Sequence, residues 1–419
     1  MRYNFAVSEN FRDCFFGTFF LNFKHISLPQ KAEKMGEFMN ITRRAPSHGL
    51  PSLIPAAAGF LKNNIVLVVA ALAAAVTSII VPPDSQYLSY FDFKTLTCLF
   101  CTLAVVCALK NIKFFTTIAK SIVKASGNLR TAVTALVFIT YFGSMLIAND
   151  MALITFLPLG YIVLSSTGNE KHMPFVFILQ NIAANLGGML TPFGNPQNLY
   201  LYTNFSIPTM EFVMIMLKPF IVATILILVC CFTVKKDKIE LTEKVENRLP
   251  AARTAIYIVL FALSIAIVFN VIPYLLGLVI IFAALMFMDR KALTAVDYSL
   301  LLTFVFFFIF AGNMARIPEI NALFSFLLSK NTLLVSVFSC QFISNVPSAV
   351  LLSQFTGNYA DLLVGVNIGG TGTLIASLAS LITFKEYLSH NPGCALSYIL
   401  KFTAFNFGFL AVLVVICLI

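Results

Sequence analysis

The sequence predicts an all-α polytopic membrane protein whose two halves repeat one pattern, with a re-entrant hairpin and a broken transmembrane helix in each half. Three observations lead to this prediction. Hydrophobic residues make up 59% of the chain and charged residues 11%, against about 25% charge in soluble domains. Several apolar runs approach the ~20 residues that cross a bilayer. Polar segments rich in Asn, Gly and Pro interrupt two of these runs in each half, and such residues are unfavourable inside a membrane helix.

The N-terminal segment 1–60 is predicted to be a cytoplasmic tail. Its apolar stretch Phe15–Phe20 is too short to span a membrane and is not followed by a cleavage-site pattern, so we do not expect a signal peptide. The segment is either a true tail or an overextended gene start, because Met35 and Met39 follow it. The sequence leaves these two alternatives open.

The first repeat is predicted at 61–234. Its elements follow from apolar runs separated by Lys and by polar stretches. The stretch 110–124 has Lys and apolar residues on different helical faces and is expected to lie in the cytoplasmic interface. The predicted elements are spans near 64–82 and 96–109, the interfacial segment, a hairpin at 130–165, a broken span at 173–203 and a span at 211–233.

A charged linker at 235–253 separates this repeat from a second, inverted repeat at 254–419. The same reasoning gives its elements. They are spans near 254–270, 273–288 and 298–311, an amphipathic piece at 312–329, a hairpin at 331–357, a broken span at 360–384 and a final span at 395–419.

The distribution of basic residues predicts the orientation in the membrane. The net charge is +10, and with a cytoplasmic N-terminus most Lys and Arg fall on the inner side, as the positive-inside rule requires. Topology therefore explains the charge, and no nucleic-acid partner is expected. The second half has one crossing more than the first, so its hairpin and broken helix are inverted. This pattern predicts a multi-pass protein of the cell (inner) membrane with an external C-terminus.

The polar interruptions are the candidate binding site. An opened helix leaves backbone groups unpaired, and its carbonyls can coordinate Na⁺ while its N–H groups at helix N-termini can bind an anion. Paired breaks in two halves are typical of the binding sites of secondary transporters. The four interruptions are Ala148-Asn149-Asp150, Asn181–Asn198, Ser344-Asn345-Val346 and Asn367–Thr373.

Within these interruptions, asparagine supplies both donors and acceptors, and glycine permits close backbone approach and positive φ. The predicted substrate-binding residues are Asn149, Asn185, Asn195, Ser344, Asn345, Asn367 and Thr371. The predicted coupling-ion residues are Asp150, Asn149, Gly187, Gly188, Asn345, Gly369 and Gly370.

Asp150 is the most informative single residue, because a carboxylate at membrane depth is rare and usually functional. It is a Na⁺ ligand, a proton carrier or a structural acid bonded to backbone amides, and the sequence leaves all three open. None of the four interruptions contains a cationic residue. Arg316 and Lys218 are conceivable sources of positive field, but we expect both to reach the outer surface. An anionic substrate would therefore need a bound cation or proton.

These four motifs resemble the ion transporter superfamily, which includes arsenite pumps, Na⁺/H⁺ antiporters, citrate–metal transporters and divalent-anion/Na⁺ symporters. The similarity covers residues 60–419 and looks closest to bacterial anion permeases with a citrate-transporter domain. It implies a homodimer with a scaffold and a transport domain that moves as an elevator. In the divalent-anion branch each tip reads Ser-Asn-Thr and touches substrate carboxylate and Na⁺. Asn149, Ser344 and Asn345 match this pattern, whereas the tip Asn149-Asp150 resembles the arsenite-pump branch.

The leading functional hypothesis is a secondary active transporter of an anion, either a di- or tricarboxylate such as citrate or an inorganic oxyanion, coupled to Na⁺ or H⁺. The alternative is a Na⁺/H⁺ antiporter or an arsenite-type efflux permease, and a channel or a membrane scaffold is a third class. An enzyme is not expected, because no nucleophile constellation or ATP-binding motif is visible. We expect no cofactor beyond the coupling ion, and as partners only a small anionic solute, the lipid bilayer and a second copy of the chain.

Overall fold

A computed structural model describes residues 64–239 and 249–419, and in these residues the protein is built from α-helices and short 3₁₀ turns. The predicted tail and part of the predicted linker lie outside the described residues. The helices are α1 Ile65–Ile80, α2 Phe93–Asn111, α3 Phe114–Lys124, α4 Leu129–Ile147, α5 Asn149–Ser166, α6 Met173–Gly187, α7 Pro196–Asn204, α8 Thr209–Phe232, α9 Ala251–Val268, α10 Tyr274–Met288, α11 Arg290–Thr294, α12 Tyr298–Ala315, α13 Pro318–Lys330, α14 Thr332–Ile343, α15 Asn345–Leu352, α16 Tyr359–Ile368, α17 Leu378–His390 and α18 Ala395–Leu418.

The distribution of apolar and polar side chains confirms an all-α polytopic membrane protein. Eight helices in the described residues are long and apolar enough to cross a bilayer. Large apolar side chains cover the outside, such as Ile79 at 81% and Phe287 at 85% exposure, while Asn181 and Gln180 are fully buried. An apolar exterior around a polar interior is stable only where lipid replaces water around the protein.

Most predicted elements match the observed helices closely, and one boundary is wrong. The amphipathic piece was expected at 312–329, but residues up to Ala315 belong to α12 and the short helix α13 begins only at Pro318. Proline fits the first turn of a helix, where no intrahelical donor is needed, and does not fit its interior. Pro318 therefore marks the start of α13.

Each predicted hairpin is a pair of helices joined by a single residue. Ala148 joins α4 to α5, and Ser344 joins α14 to α15. The members of each pair pack against each other.

The outer ends of the first pair contact other helices. Leu129 N, at the start of α4, donates to Asp237 O beyond the end of α8 at 2.8 Å. Tyr161, near the end of α5, stacks on the His390 ring at the end of α17. The re-entrant insertion of these pairs and the repeat boundaries remain predictions.

Helices α1 and α12 pack along each other. Arg316, which follows α12, bonds to the connection that follows α1. The Arg316 guanidinium donates to both carboxylate oxygens of Asp84, at 2.7 and 3.1 Å, and to the hydroxyl of Tyr90 at 3.0 Å. This pairing holds the pKa of Asp84 below its usual value. The charge of Arg316 is therefore balanced in the connection that follows α1, and Arg316 does not serve as a source of positive field for the polar interruptions.

Candidate functional site

The first tip is Ala148-Asn149-Asp150, where α4 turns into α5. Asn149 begins α5, and its side chain is almost fully buried. Its Oδ1 accepts from the backbone N of Asp150 at 2.9 Å, and its Nδ2 donates to Asn185 Oδ1 at 3.1 Å. The same side chain thus supports the first turn of α5 and connects that turn to the first broken helix. Asparagine is suited to this place because its amide offers both a donor and an acceptor.

The second tip has a closely similar geometry. Asn345 Oδ1 accepts from the backbone N of Val346 at 2.9 Å, and the backbone N of Asn345 donates to Ala376 O at 3.0 Å. Ser344 Oγ donates to the same Ala376 oxygen at 3.3 Å. The tip of the second helix pair is therefore attached to the second broken helix, as the first tip is to the first.

The residue before each tip asparagine has an unusual backbone. Ala148 has φ 63° and ψ 151°, and Ser344 has φ 74° and ψ 161°. Residues other than glycine rarely adopt a positive φ. The combination of positive φ with an extended ψ is almost restricted to glycine. Strain of this kind is retained where the surrounding contacts hold it, commonly at functional sites. Its presence at both tips shows that the two helix pairs turn in the same way.

Replacing Ala148 with glycine is therefore expected to stabilise the protein. Relief of about 1–3 kcal/mol of strain should outweigh the extra entropy of an unfolded glycine, about 0.5–1 kcal/mol. The thermal midpoint of the purified protein should rise, whereas Ala152→Gly, inside α5, should lower it. A fall for both variants would show that Ala148 is not strained.

The two broken helices are linked to each other by asparagine side chains. Asn185 Oδ1 accepts from Asn149 and also from Ser377 Oγ at 2.7 Å. Asn367 Oδ1 accepts from Asn195 Nδ2 and Gln197 Nε2, both at 3.4 Å. The Nδ2 groups of Asn185 and Asn367 donate to the carbonyl four residues earlier in their own helices. Each asparagine therefore holds its helix end and accepts donors from the opposite half of the chain.

Asn195 Nδ2 also donates to Asn185 O at 3.3 Å. The predicted residues Asn149, Asn185, Asn195 and Asn367 are therefore joined in one chain of hydrogen bonds. Asn345 and Ser344 are bonded to Ala376, which precedes Ser377. Thr371 is buried, and its hydroxyl bonds to Ile368 O in its own turn at 2.6 Å. Their roles in binding substrate remain predictions.

The glycines of the breaks serve close packing. They were expected to permit close backbone approach and to allow positive φ, and positive φ is not used at Gly187, Gly188, Gly369 or Gly370. Gly187, Gly188 and Gly369 have φ of −67°, −62° and −63°, and Gly370 is likewise not among the residues with positive φ. A Cβ on Gly187 would lie 2.6 Å from Ser144 Oγ, and one on Gly369 would lie 3.0 Å from Cys340 Sγ. Gly187 and Gly369 therefore allow each broken helix to pack closely on the neighbouring helix pair.

Four further polar residues belong to the site and were not assigned from the sequence. Asn198 Nδ2 donates to the carbonyls of Gly188, Met189 and Thr191, and its Oδ1 accepts from Asn367 at 2.6 Å. Gln197 and Asn198 lie in the polar motif 195–198, so their position next to Asn195 was an available signal. Ser377 and Gln341 lie outside the four interruptions, and only the fold brings them to the breaks. The four residues are Gln197, Asn198, Gln341 and Ser377.

The site is neutral except for Asp150. Its Oδ1 is buried and has no hydrogen-bond partner in the described residues, and the same holds for Asn195 Oδ1 and Gln197 Oε1. A buried acceptor without a donor is costly, and a proton or a metal cation can satisfy it. The arrangement can therefore offer amide donors and acceptors to a solute and one carboxylate to a cation.

Residues 57–362 match a family model described as citrate transporter. An uncharacterized transporter of Methanocaldococcus jannaschii is 37% identical over 299 residues, which cover 70% of this chain and 81% of the relative. The inner membrane protein YbiR of Escherichia coli is 29% identical over 281 residues, which cover 65% of this chain and 74% of the relative.

Proposed function

Because the chain belongs to the citrate transporter family, we propose that it is a secondary active transporter that moves an anion together with Na⁺ or H⁺. The anion is a di- or tricarboxylate such as citrate, or an inorganic oxyanion. The family match over 57–362 and the apolar exterior support a permease of the lipid bilayer. The proposal includes the cell (inner) membrane, a cytoplasmic N-terminus, an external C-terminus and a homodimer.

The observation that carries this proposal is the convergence of both tips and both broken helices on one set of amides. Asn149 contacts Asn185, and Asn185 contacts Ser377, which follows the carbonyl that holds Asn345. Helices interrupted at a common place are the usual way to expose backbone and side-chain polar groups to a solute within a membrane. In an elevator cycle these elements would move together and carry the solute between the two sides.

The chemistry of the site explains why a coupling ion is needed. Amides hydrogen-bond carboxylate or oxyanion oxygens without adding charge. The charged side chain in the site described above is Asp150, and its charge is negative. A multiply charged anion would be repelled in a low-dielectric region. Binding of Na⁺ or H⁺ at or near Asp150 would remove this repulsion, so solute and cation would cross together.

A thermal-shift screen of the purified protein tests this proposal. Citrate, succinate, sulfate, phosphate and arsenite are each added with Na⁺ or with K⁺ at two pH values. A ligand that binds only the folded state raises the thermal midpoint by mass action. We expect an anion to stabilise the protein when Na⁺ is present or when the pH is low. Absence of an effect for every anion, together with no uptake into proteoliposomes, would contradict the proposal.

The buried, unpartnered carboxylate oxygen of Asp150 also favours a second candidate function. In a Na⁺/H⁺ antiporter this carboxylate would carry Na⁺ and H⁺ alternately, and no anion would be needed. Asp150→Asn should then abolish Na⁺-driven proton movement in proteoliposomes without added anion. An arsenite-type efflux permease of the same fold would instead show stabilisation by arsenite in the screen.

A further inference from the structure

The second broken helix wraps its opened backbone around one side chain. Gln341 lies near the end of α14, one helical turn before the second tip. Its Nε2 donates to Gly369 O at 2.9 Å and to Thr371 O at 3.2 Å, and also to Val337 O of its own helix at 3.1 Å. Its Oε1 accepts from Thr373 N at 2.9 Å. The donor and the acceptor of this amide are therefore both used by the same short backbone segment.

The segment is shaped to receive this amide. Gly372 has φ 126°, and a Cβ at this position would overlap Gln341 Oε1. Only glycine fits both the backbone conformation and the space. Thr373 Oγ1 adds a hydrogen bond to the backbone carbonyl of Gln341 at 3.0 Å. Gln341 and the segment are consequently one packed unit that joins α14 to the second broken helix.

Two carbonyl oxygens that converge on one point attract either a cation or N–H donors. An amide NH₂ group offers two donors and partial positive charge, and unlike an ion it cannot leave. A dehydrated cation could bind Gly369 O and Thr371 O only by displacing Gln341. We propose that the Gln341 amide permanently fills the cation position of the second broken helix, so that coupling-ion binding is confined to the first half of the chain.

The first half differs at the equivalent position. Met145 stands four residues before Asn149, as Gln341 stands four residues before Asn345. Met145 contributes only its backbone carbonyl, which accepts from Thr191 Oγ1 at 2.8 Å in the way that the Gln341 carbonyl accepts from Thr373. At this position hairpin α4–α5 therefore supplies a backbone carbonyl, and its amide at Asn149 donates to the Asn185 side chain rather than to opened backbone carbonyls.

In the first broken helix, three opened carbonyls accept from the Asn198 amide of the same segment, as described above. Within the described part of this half, the ionisable acceptor without a partner is Asp150, and the equivalent residue of the second tip is Val346. The charged group with an electrostatic effect on Asp150 is Asp297, at the start of α12. Each broken helix thus holds a fixed neutral amide at its opened carbonyls, Asn198 in the first half and Gln341 in the second. In the described residues of the two tips, the first half alone adds an exchangeable charge, Asp150. This inference rests on the proposed function and adds to it that a single cation or proton is coupled, through Asp150.

Thermal unfolding of purified protein without any transported solute tests this inference, because it requires no transport. Na⁺ is titrated against choline at several pH values in wild type, Asp150→Asn and the double variant Asp150→Asn/Gln341→Glu. We expect wild type to respond to Na⁺ or pH and Asp150→Asn to lose at least about nine-tenths of that response. The double variant should regain a response, because a carboxylate placed beside two carbonyl oxygens needs a cation or a proton.

A Na⁺ or pH response retained in Asp150→Asn would overturn the inference, because it would reveal an ion site elsewhere. An indifferent wild type, or a double variant indifferent to both Na⁺ and pH, would do the same. If Gln341→Glu fails to fold, Asp150→Asn/Gln341→Met is used, since methionine has similar length and frees both carbonyls for Na⁺. Failure of the proposed function would show separately, as absence of stabilisation by every anion in proteins that still respond to cations.

Discussion

Uptake by Asn149→Ala and by Asn345→Ala is expected to fall about 100-fold or more below the wild-type rate. Each substitution removes the acceptor for the first backbone N–H after the tip, at 2.9 Å in both cases. Asn149→Ala also leaves Asn185 without one of its donors. An unsatisfied buried group costs about 1–3 kcal/mol, and a loss of about 2.7 kcal/mol corresponds to about 100-fold in rate.

The measurement is initial uptake of the stabilising anion into proteoliposomes that contain equal amounts of folded protein. Asn406→Ala is the matched control. Asn406 is also a fully buried asparagine with a hydrogen bond to the carbonyl four residues earlier, but it lies in α18 outside the site. Anion uptake by Asn406→Ala should remain within about threefold of the wild-type rate. Wild-type rates for both tip variants would refute the assignment of the tips to the transport site.

Gly187→Ala is expected to destabilise the protein by about 3 kcal/mol or more. Its backbone is helical, so alanine is acceptable locally. The added Cβ would, however, overlap the Tyr141 carbonyl oxygen and lie 2.6 Å from Ser144 Oγ. Because the obstacle includes backbone rather than a flexible side-chain end, the broken helix has to shift away from α4. Overpacking of this kind costs about 1–3 kcal/mol and occasionally more, and a shift would also disturb the Asn149–Asn185 contact.

Gly408→Ala provides the comparison for this prediction. Gly408 lies within α18, and a Cβ there meets nothing within 4 Å. Alanine is the better helix former, so the thermal midpoint should stay unchanged or rise. Thermal midpoints and the yield of monodisperse protein are measured for both variants. If Gly187→Ala is as stable as Gly408→Ala, close packing of the broken helix on α4 is not essential.

The helices and their interruptions could be predicted closely, because apolar runs and Gly, Pro and Asn are local signals. The tip asparagines also follow from local sequence, since an Asn flanked by apolar helices has few structural explanations. Contacts across the chain could not be predicted in this way. Gln341 sits in an ordinary apolar helix, and its partners Gly369 and Thr373 are 28 and 32 residues away.

Of the two properties expected of the break glycines, close approach and freedom for positive φ, the structure uses close approach. Glycine can serve backbone conformation or close packing, and the sequence alone does not distinguish the two uses. At the breaks the helices approach each other so closely that a missing side chain is required. At the tips and breaks, the residues with positive φ are Ala148, Ser344 and Gly372. Asp150 was recognised from its rarity at membrane depth, but the fold alone shows that one of its oxygens has no partner.

The reciprocal bonds between the broken helices constrain how such a chain can evolve. Asn185 depends on Ser377, and Asn198 depends on Asn367, although each pair joins residues from different halves. The predicted inverted repeat implies a duplication of one ancestral half, after which neither copy would have drifted freely at these positions. A substitution that removes a donor in one half should persist only with a compensating change in the other. Among relatives, these pairs are expected to covary. In the predicted repeat, Gln341 and Met145 are a position at which the two halves differ.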